Sequence, residues 1–215
     1  MKEIAIYGAG GLGREIACLL RHINKEQGDR WNLIGFFDDG LVPGVSNDYG
    51  TIIGGIEELN RYPTPLSVVI AIASPAILTT LVAKIVNPNV SFPNIVAPNV
   101  FFFDEESVEM GRGNILTFNC RVSCNVKIGN FNIFNGGVSL GHDITIGDNN
   151  VFMPETRLSG GVSVGCNNFF GARSFVMQQI KIGNSTTVGV GSVIMRKTKD
   201  GATYIGNPAK KIEIS

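Results

Sequence analysis

Two hydrophobic rhythms divide the chain. Up to about residue 95, short apolar runs alternate with amphipathic stretches. Ile4-Ala5-Ile6-Tyr7 reads as a buried strand, followed by Gly8, Gly10 and Gly13 and by an amphipathic helix from Arg14 to about Asn24. Leu33 to Phe37 forms a second strand ending at Asp38-Asp39, and Val68 to Ala73 a third. Pro75 opens a helix running to about Val86, since proline is tolerated in a first helical turn. Strands alternating with helices predict a parallel sheet with right-handed crossovers, an α/β Rossmann-like domain over residues 1–95.

Downstream, every sixth residue from Met110 is apolar: Met110, Leu116, Val122, Ile128, Phe134, Leu140, Ile146, Phe152, Leu158, Val164, Phe170, Val176, Ile182, Val188 and Ile194. Neither a helix nor a pair of alternating strands has this period; a hexapeptide-repeat β-helix does. The larger unit is eighteen residues, as Val126-Lys127-Ile128-Gly129, Ile144-Thr145-Ile146-Gly147, Val162-Ser163-Val164-Gly165 and Ile180-Lys181-Ile182-Gly183 show. Leu116, Phe134, Phe152, Phe170 and Val188 then stack along one edge of a triangular prism, and Asn114, Asn132, Asn150 and Asn168 predict an amide ladder between coils. Glycines directly after the inward residue (Gly129, Gly141, Gly147, Gly165, Gly183, Gly189) suit tight corners. Residues 96–215 are thus expected to be an all-β parallel β-helix of five uninterrupted coils. From about residue 195, Met195 to Ser215 caps its open end, including Gly206-Asn207-Pro208-Ala209.

Composition narrows the function. Eighteen basic residues balance eighteen acidic ones among 215, so no nucleic-acid or anionic-membrane partner is expected. No signal-peptide pattern and no apolar run of spanning length is present, which predicts a cytoplasmic protein. Cys18, Cys120, Cys124 and Cys166 lack CxxC spacing and read as reduced thiols used in packing. With only His22 and His142, a three-histidine zinc site cannot be built, and no metal is expected.

Gly8-Ala9-Gly10-Gly11-Leu12-Gly13 has the G-x-G-x-x-G spacing between a strand and a helix. Glycines there let backbone approach a diphosphate at the positive helix end; the competing reading is a turn required only for packing. Asp38 and Asp39 stand where a carboxylate accepts hydrogen bonds from a ribose or base. The domain is short for a dinucleotide fold, and hydride transfer would leave the β-helix without a role, so a nucleotide sugar fits better than NAD.

His142-Asp143 is the second candidate. Leu140 points inward, so His142 lies at or near a coil corner, where a ring projects from the prism. Imidazole is the usual base near neutral pH, and an adjacent carboxylate stabilises its protonated form. One coil on stand Gly160 and Gly161. They leave an open slot above the ring, with backbone N–H groups that, if unpaired, face a thioester oxygen. The competing reading is that two glycines merely turn a corner.

Tyr7-Gly8-Ala9-Gly10-Gly11-Leu12-Gly13, Phe36-Phe37-Asp38-Asp39, His142-Asp143, the hexads and Gly206-Asn207-Pro208-Ala209 together resemble the bacterial sialic acid O-acetyltransferase-like family. That family includes nucleotide-amino-sugar N-acetyltransferases of glycan pathways. The resemblance implies a left-handed β-helix, a homotrimer with sites shared between subunits, and acetyl-CoA as donor to a nucleotide sugar. It implies Gly10, Gly11 and Leu12 at the sugar-nucleotide phosphates and Asp38 and Asp39 near the base. Ala73 would border the nucleotide site, and Asn135 would position the acceptor. His142 would be the base, Asp143 its partner, and Gly160, Ala172 and Val190 would line the acetyl-CoA cleft. Three positions depart from the family pattern. Leu12 and Val151 replace histidines that some members carry, and Ala71-Ile72-Ala73-Ser74 replaces a strand end usually read as Ala-Ile-Gly-Asn.

The expected chemistry is direct acetyl transfer to an amine or hydroxyl, since no cysteine or serine has an activating base beside it. The alternatives are a non-catalytic β-helical nucleotide-binding scaffold and a nicotinamide-dependent oxidoreductase. A sugar-1-phosphate nucleotidyltransferase is disfavoured because the glycine loop lacks that group's downstream basic signature.

Overall fold

The apolar runs of the first rhythm become the middle of a parallel sheet. In this computed structural model, which describes residues 1–213, the chain divides into two units, Met1–Pro93 and Asn94 to the C-terminus. In the first unit β1 (Lys2–Tyr7), α1 (Gly11–Gln27) and β2 (Trp31–Phe37) form a β-α-β turn. A hairpin of β3 (Ser46–Asn47) and β4 (Gly50–Gly54), the short α2 (Ile56–Asn60), β5 (Leu66–Ile70), α3 (Pro75–Lys84) and β6 (Val90–Ser91) follow. The sheet order is β3-β4-β2-β1-β5-β6, parallel throughout except for the β3–β4 hairpin. The hairpin and α2 carry no clear sequence period, because glycines and short polar stretches interrupt their apolar positions. β1 is fully flanked, with Ile4, Ala5 and Ile6 at 0% exposure, so its C-terminal end sits at the switch point where the chain departs to either side.

The second unit winds as a parallel β-helix of two-residue strands. One face stacks Ile95–Val96, Ile115–Leu116, Ile133–Phe134, Val151–Phe152, Phe169–Phe170 and Thr187–Val188. A second runs from Phe101–Phe102 through Ser139–Leu140 to Val193–Ile194, and a third from Glu109–Met110 to Lys181–Ile182. Between Glu109 and Ile194 partners are eighteen residues apart, and the second residue of each strand points inward to one continuous core. Like therefore meets like. Phe134, Phe152 and Phe170 stack with centroids 4.8 and 4.6 Å apart. The asparagine ladder forms as expected: the Oδ1 atoms of Asn114, Asn132 and Asn150 each accept the backbone N–H of the asparagine one coil on, all at 2.9 Å.

Three details differ from the sequence reading. Winding begins a coil earlier than Met110, with Val96 and Phe102 packed on the core; the 3₁₀ turn Glu105–Ser107 inserts two residues before Met110 and hides this coil from a strict sixfold count. The corner residues with left-handed backbone stand three places after the inward one, as Asn119, Asn125, Asp143 and Asn149 do (φ 54–62°). Glycines directly after the inward residue serve close approach instead: a Cβ on Gly129, Gly147 or Gly165 would lie within 2.8 Å of the next coil's glycine carbonyl. The cap is an antiparallel hairpin, Thr203–Gly206 with Ala209–Ile212, whose Tyr204 and Ala209 pack on the core. The expected cap residues Ile214 and Ser215 lie outside the described residues. All four cysteines are free thiols, and burial pushes that of Cys120 up to about 11.

Candidate functional site

In the first unit, the glycines divide by role. A Cβ on Gly13 would collide with the Gly8 carbonyl, and Gly8, at φ +102°, is pressed against Ala71 and Ile72, so these two are needed for packing. Gly10 and Gly11 meet nothing within 4 Å. They lie at the start of α1, whose N-terminus has no side-chain cap and no acidic residue in its first turn. The first intrahelical bond runs from the Arg14 N–H to the Gly10 carbonyl (3.1 Å), so the N–H groups before it lack helical partners. An uncapped helix N-terminus behind two open glycines leaves room and backbone donors that an anion could use. Leu12 is half-buried and brings no polar group to this end.

Both aspartates are engaged locally. The Asp38 carboxylate accepts the Ala9 N–H and the Gly40 N–H, each at 2.9 Å, and so ties the glycine loop to the end of β2. Asp39 Oδ1 accepts the Ile56 N–H at the start of α2 (2.8 Å). Both also line a cleft of ≈ 410 Å³ with Tyr7, Ile72, Ile77 and Lys84. The Tyr7 hydroxyl is buried in its wall close to the Asp39 carboxylate, and burial first, then Asp39, holds its pKa far above the phenol value. Ile77 and Lys84 escaped the sequence reading, and Tyr7 entered it only as a strand and motif residue. The 59% exposure of Ile77 on α3 becomes visible only once the helix is placed. Ala73, exposed beyond the end of β5, follows the Ala71-Ile72 segment that flanks Gly8 and is not among the cleft's lining residues.

In the second unit His142 projects at the corner following Ser139–Leu140, its side chain 63% exposed. Nδ1 lies 2.7 Å from Asp143 Oδ2. A carboxylate only accepts, so Nδ1 carries the proton in the neutral ring and Nε2 keeps a free lone pair. Hydrogen bonds from His142 and then Asn125 hold the Asp143 carboxyl below its ordinary pKa, so it is ionised near neutral pH. The Nε2 edge faces Gly160, where a Cβ would intrude on Nε2 and Cε1. Gly160 has no left-handed backbone to explain its being glycine; the ring does. The Gly161 N–H is already donated to the His142 carbonyl (2.8 Å), so of the two glycines only Gly160 remains a candidate oxyanion donor.

The remaining expected residues are not gathered around this ring within one chain. Asn135 is buried at the preceding corner, its amide 3.6 Å from Met153 Sδ. Ala172 and the 74%-exposed Val190 continue that other corner, eighteen residues apart. On His142's own corner the eighteen-residue register runs through Gly160 and Gln178 to Arg196. Arg196 lines a ≈ 520 Å³ cavity with Lys197, Lys210, Met195 and Tyr204 at the capped end. Among the described residues no group of three or more His, Cys, Asp or Glu side chains is placed to hold a metal ion, and no helix is long and apolar enough to cross a membrane.

Proteins of known structure share this fold. Residues 3–85 match the family model described as the PglD N-terminal domain, and the whole chain has the fold of hexapeptide-repeat sugar N-acetyltransferases. WeeI from Acinetobacter baumannii is 27% identical with a TM-score of 0.88, covering 99% of this chain and 100% of its own. PerB from Caulobacter crescentus, solved with CoA and GDP-perosamine, is 25% identical (TM-score 0.84; 99% and 98% covered). The acetyltransferase domain of PglB from Neisseria gonorrhoeae, solved with acetyl coenzyme A, is also 25% identical (TM-score 0.87; 98% and 99% covered). No curated protein sequence matches significantly.

Proposed function

We propose that this protein transfers the acetyl group of acetyl-CoA to an amine of a nucleotide-linked sugar, with His142 as general base. The observation that carries the reading is the clamped imidazole: Nδ1 is held on Asp143, and Nε2 faces a position kept free of side chain by Gly160. The acceptor nitrogen attacks the thioester carbonyl as Nε2 takes its proton. The Gly160 N–H is the candidate donor to the resulting oxyanion, and collapse expels coenzyme A as thiolate, which the imidazolium protonates. The uncapped start of α1 would receive the sugar nucleotide's diphosphate, and the Tyr7–Asp39–Ile77 cleft its base.

A groove between two copies of the chain is the natural place for the donor. Ala172 and Val190 stand on a different corner from His142, so both corners flank one thioester only if a neighbouring copy supplies the second. This supports the homotrimer that the family resemblance implies, and it gives exposed Val190 a surface to cover. Arg196 and Lys197, farther along the His142 corner, suit the phosphates of coenzyme A. Dependence on acetyl-CoA places the reaction in the cytoplasm.

The test is a panel of UDP-, GDP-, dTDP- and CMP-linked amino sugars with acetyl-CoA, followed by thiol release and product mass. Replacing His142 by alanine is expected to lower turnover by about 10²–10⁴-fold with folding intact. Ligand binding without thiol release across the panel would favour the non-catalytic scaffold. Full turnover in His142→Ala would remove the base assignment.

A further inference from the structure

His142 and Asp143 are both largely exposed (63% and 59% for their side chains), and an exposed pair of adjacent side chains is not held in one geometry by its own attraction. What steadies this pair lies one coil below. Asn125 occupies the equivalent corner position, eighteen residues before Asp143, and its Nδ2 donates to Asp143 Oδ1 at 3.1 Å. The two carboxylate oxygens are therefore divided, Oδ1 to Asn125 and Oδ2 to His142 Nδ1. Asn125 is itself fixed: its backbone N–H donates to Ser107 Oγ (2.9 Å), and that hydroxyl donates to the Asp104 carbonyl (3.0 Å). The Asp143 backbone N–H is held by the Cys124 carbonyl (3.1 Å). A chain of contacts thus runs from the 3₁₀ turn that interrupts the first coil to the imidazole.

We infer that Asn125 is a positioning residue for His142, acting through Asp143: its amide orients the carboxylate so that Nδ1 stays protonated and Nε2 stays the basic nitrogen aimed at Gly160. The inference rests on the acetyl-transfer reading above. The competing explanation is that Asn125 is asparagine only because its corner needs a left-handed backbone (φ 54°), as at Asn119, Asn149 and Asn167. Asn125→Gly separates the two, since glycine accepts that backbone and removes only the amide. Asn125→Asp keeps the shape and the left-handed tolerance but replaces a donor by a second carboxylate.

Two readouts decide it. In ¹⁵N-labelled protein, with His142→Ala assigning the only other ring to His22, the neutral His142 signal is expected in the Nδ1–H form. Asn125→Gly is expected to shift it toward a mixture with Nε2–H. With the acceptor from the panel, Asn125→Gly is expected to lower kcat by about 10-fold to 100-fold while KM for either substrate changes less than about twofold. The melting temperature is expected to stay unchanged. In an Asp143→Ala background the same substitution is expected to change kcat by less than about twofold, since the residue acts through that carboxylate. A wild-type tautomer and kcat in Asn125→Gly would overturn the inference, as would a full effect persisting without Asp143. If His142→Ala retains turnover, the base reading has failed, and the tautomer measurement still decides what Asn125 does.

Discussion

In the first unit the most chemical-looking side chains, Asp38 and Asp39, bind the unit's own backbone, and the groups left open are backbone N–H donors at the start of α1. In the β-helix the relation is reversed. Its strands pair coil to coil through the backbone, and the most prominent candidate group is a side chain, the His142 imidazole, raised at a corner of a repeating frame. A nucleotide phosphate is an extended anion, which several weak donors at a helix end match well. Proton transfer needs one nitrogen at one place, which a stiff, self-paired frame with a fixed 18-residue register supplies better than a loop. The difference also governs tolerance: the first unit depends on a few close backbone approaches, the second on ladders in which each residue supports the next coil.

The comparison breaks most sharply at glycine. Gly13→Ala forces a Cβ into the Gly8 carbonyl and is expected to cost about 3–5 kcal/mol in urea unfolding, or to prevent folding. Gly11→Ala, with open space around it, is expected to leave unfolding within about 0.5 kcal/mol and to weaken nucleotide-sugar binding in a titration. Equal destabilisation by both would mean that the loop is only a packing turn. In the β-helix, Asn150→Ala strips the partner from the Asn168 N–H and side-chain amide inside the prism, and should cost about 2–4 kcal/mol by the same measurement. Gly160→Ala is next. Its backbone accepts alanine, so stability should hold while turnover falls about 100-fold through displacement of the ring. Normal turnover there would show that the gap above His142 has no part in the reaction. The smallest effect belongs to Cys166. It stands in a column where Asn130, Asp148 and Asn184 side chains accept the backbone N–H of the preceding coil, and its thiol makes the long link (3.3 Å from the Asp148 N–H). Cys166→Asn should raise stability by about 0.5–1 kcal/mol, seen as a higher denaturant midpoint.

Legibility in the sequence followed the same division. The β-helix core, its aromatic stack and its asparagine ladder could be read because contacts there are a function of sequence separation: eighteen residues along the chain is one step along the prism. His142 at a corner beneath Gly160 follows from the same arithmetic. Counting only upward from His142 passed over Asn125, though one step down would have found it. The first coil was hidden by its two inserted residues. In the first unit no such rule exists, since sheet order and loop path decide who meets whom. The G-x-G-x-x-G spacing was legible, but not that Gly8 and Gly13 pack while Gly10 and Gly11 stay open.

The chain by itself determined the two architectures and the identity of its lone corner imidazole, because hydrophobic period is a local property that backbone geometry converts directly into a fold. Tertiary structure alone decided which polar groups remain available: Asp38 is tied to Ala9 and Gly40, the Gly161 N–H is paired, and the Tyr7 hydroxyl is buried beside Asp39. Availability depends on what neighbours have already claimed a donor or acceptor, and neighbours distant along the chain become known only when it is folded.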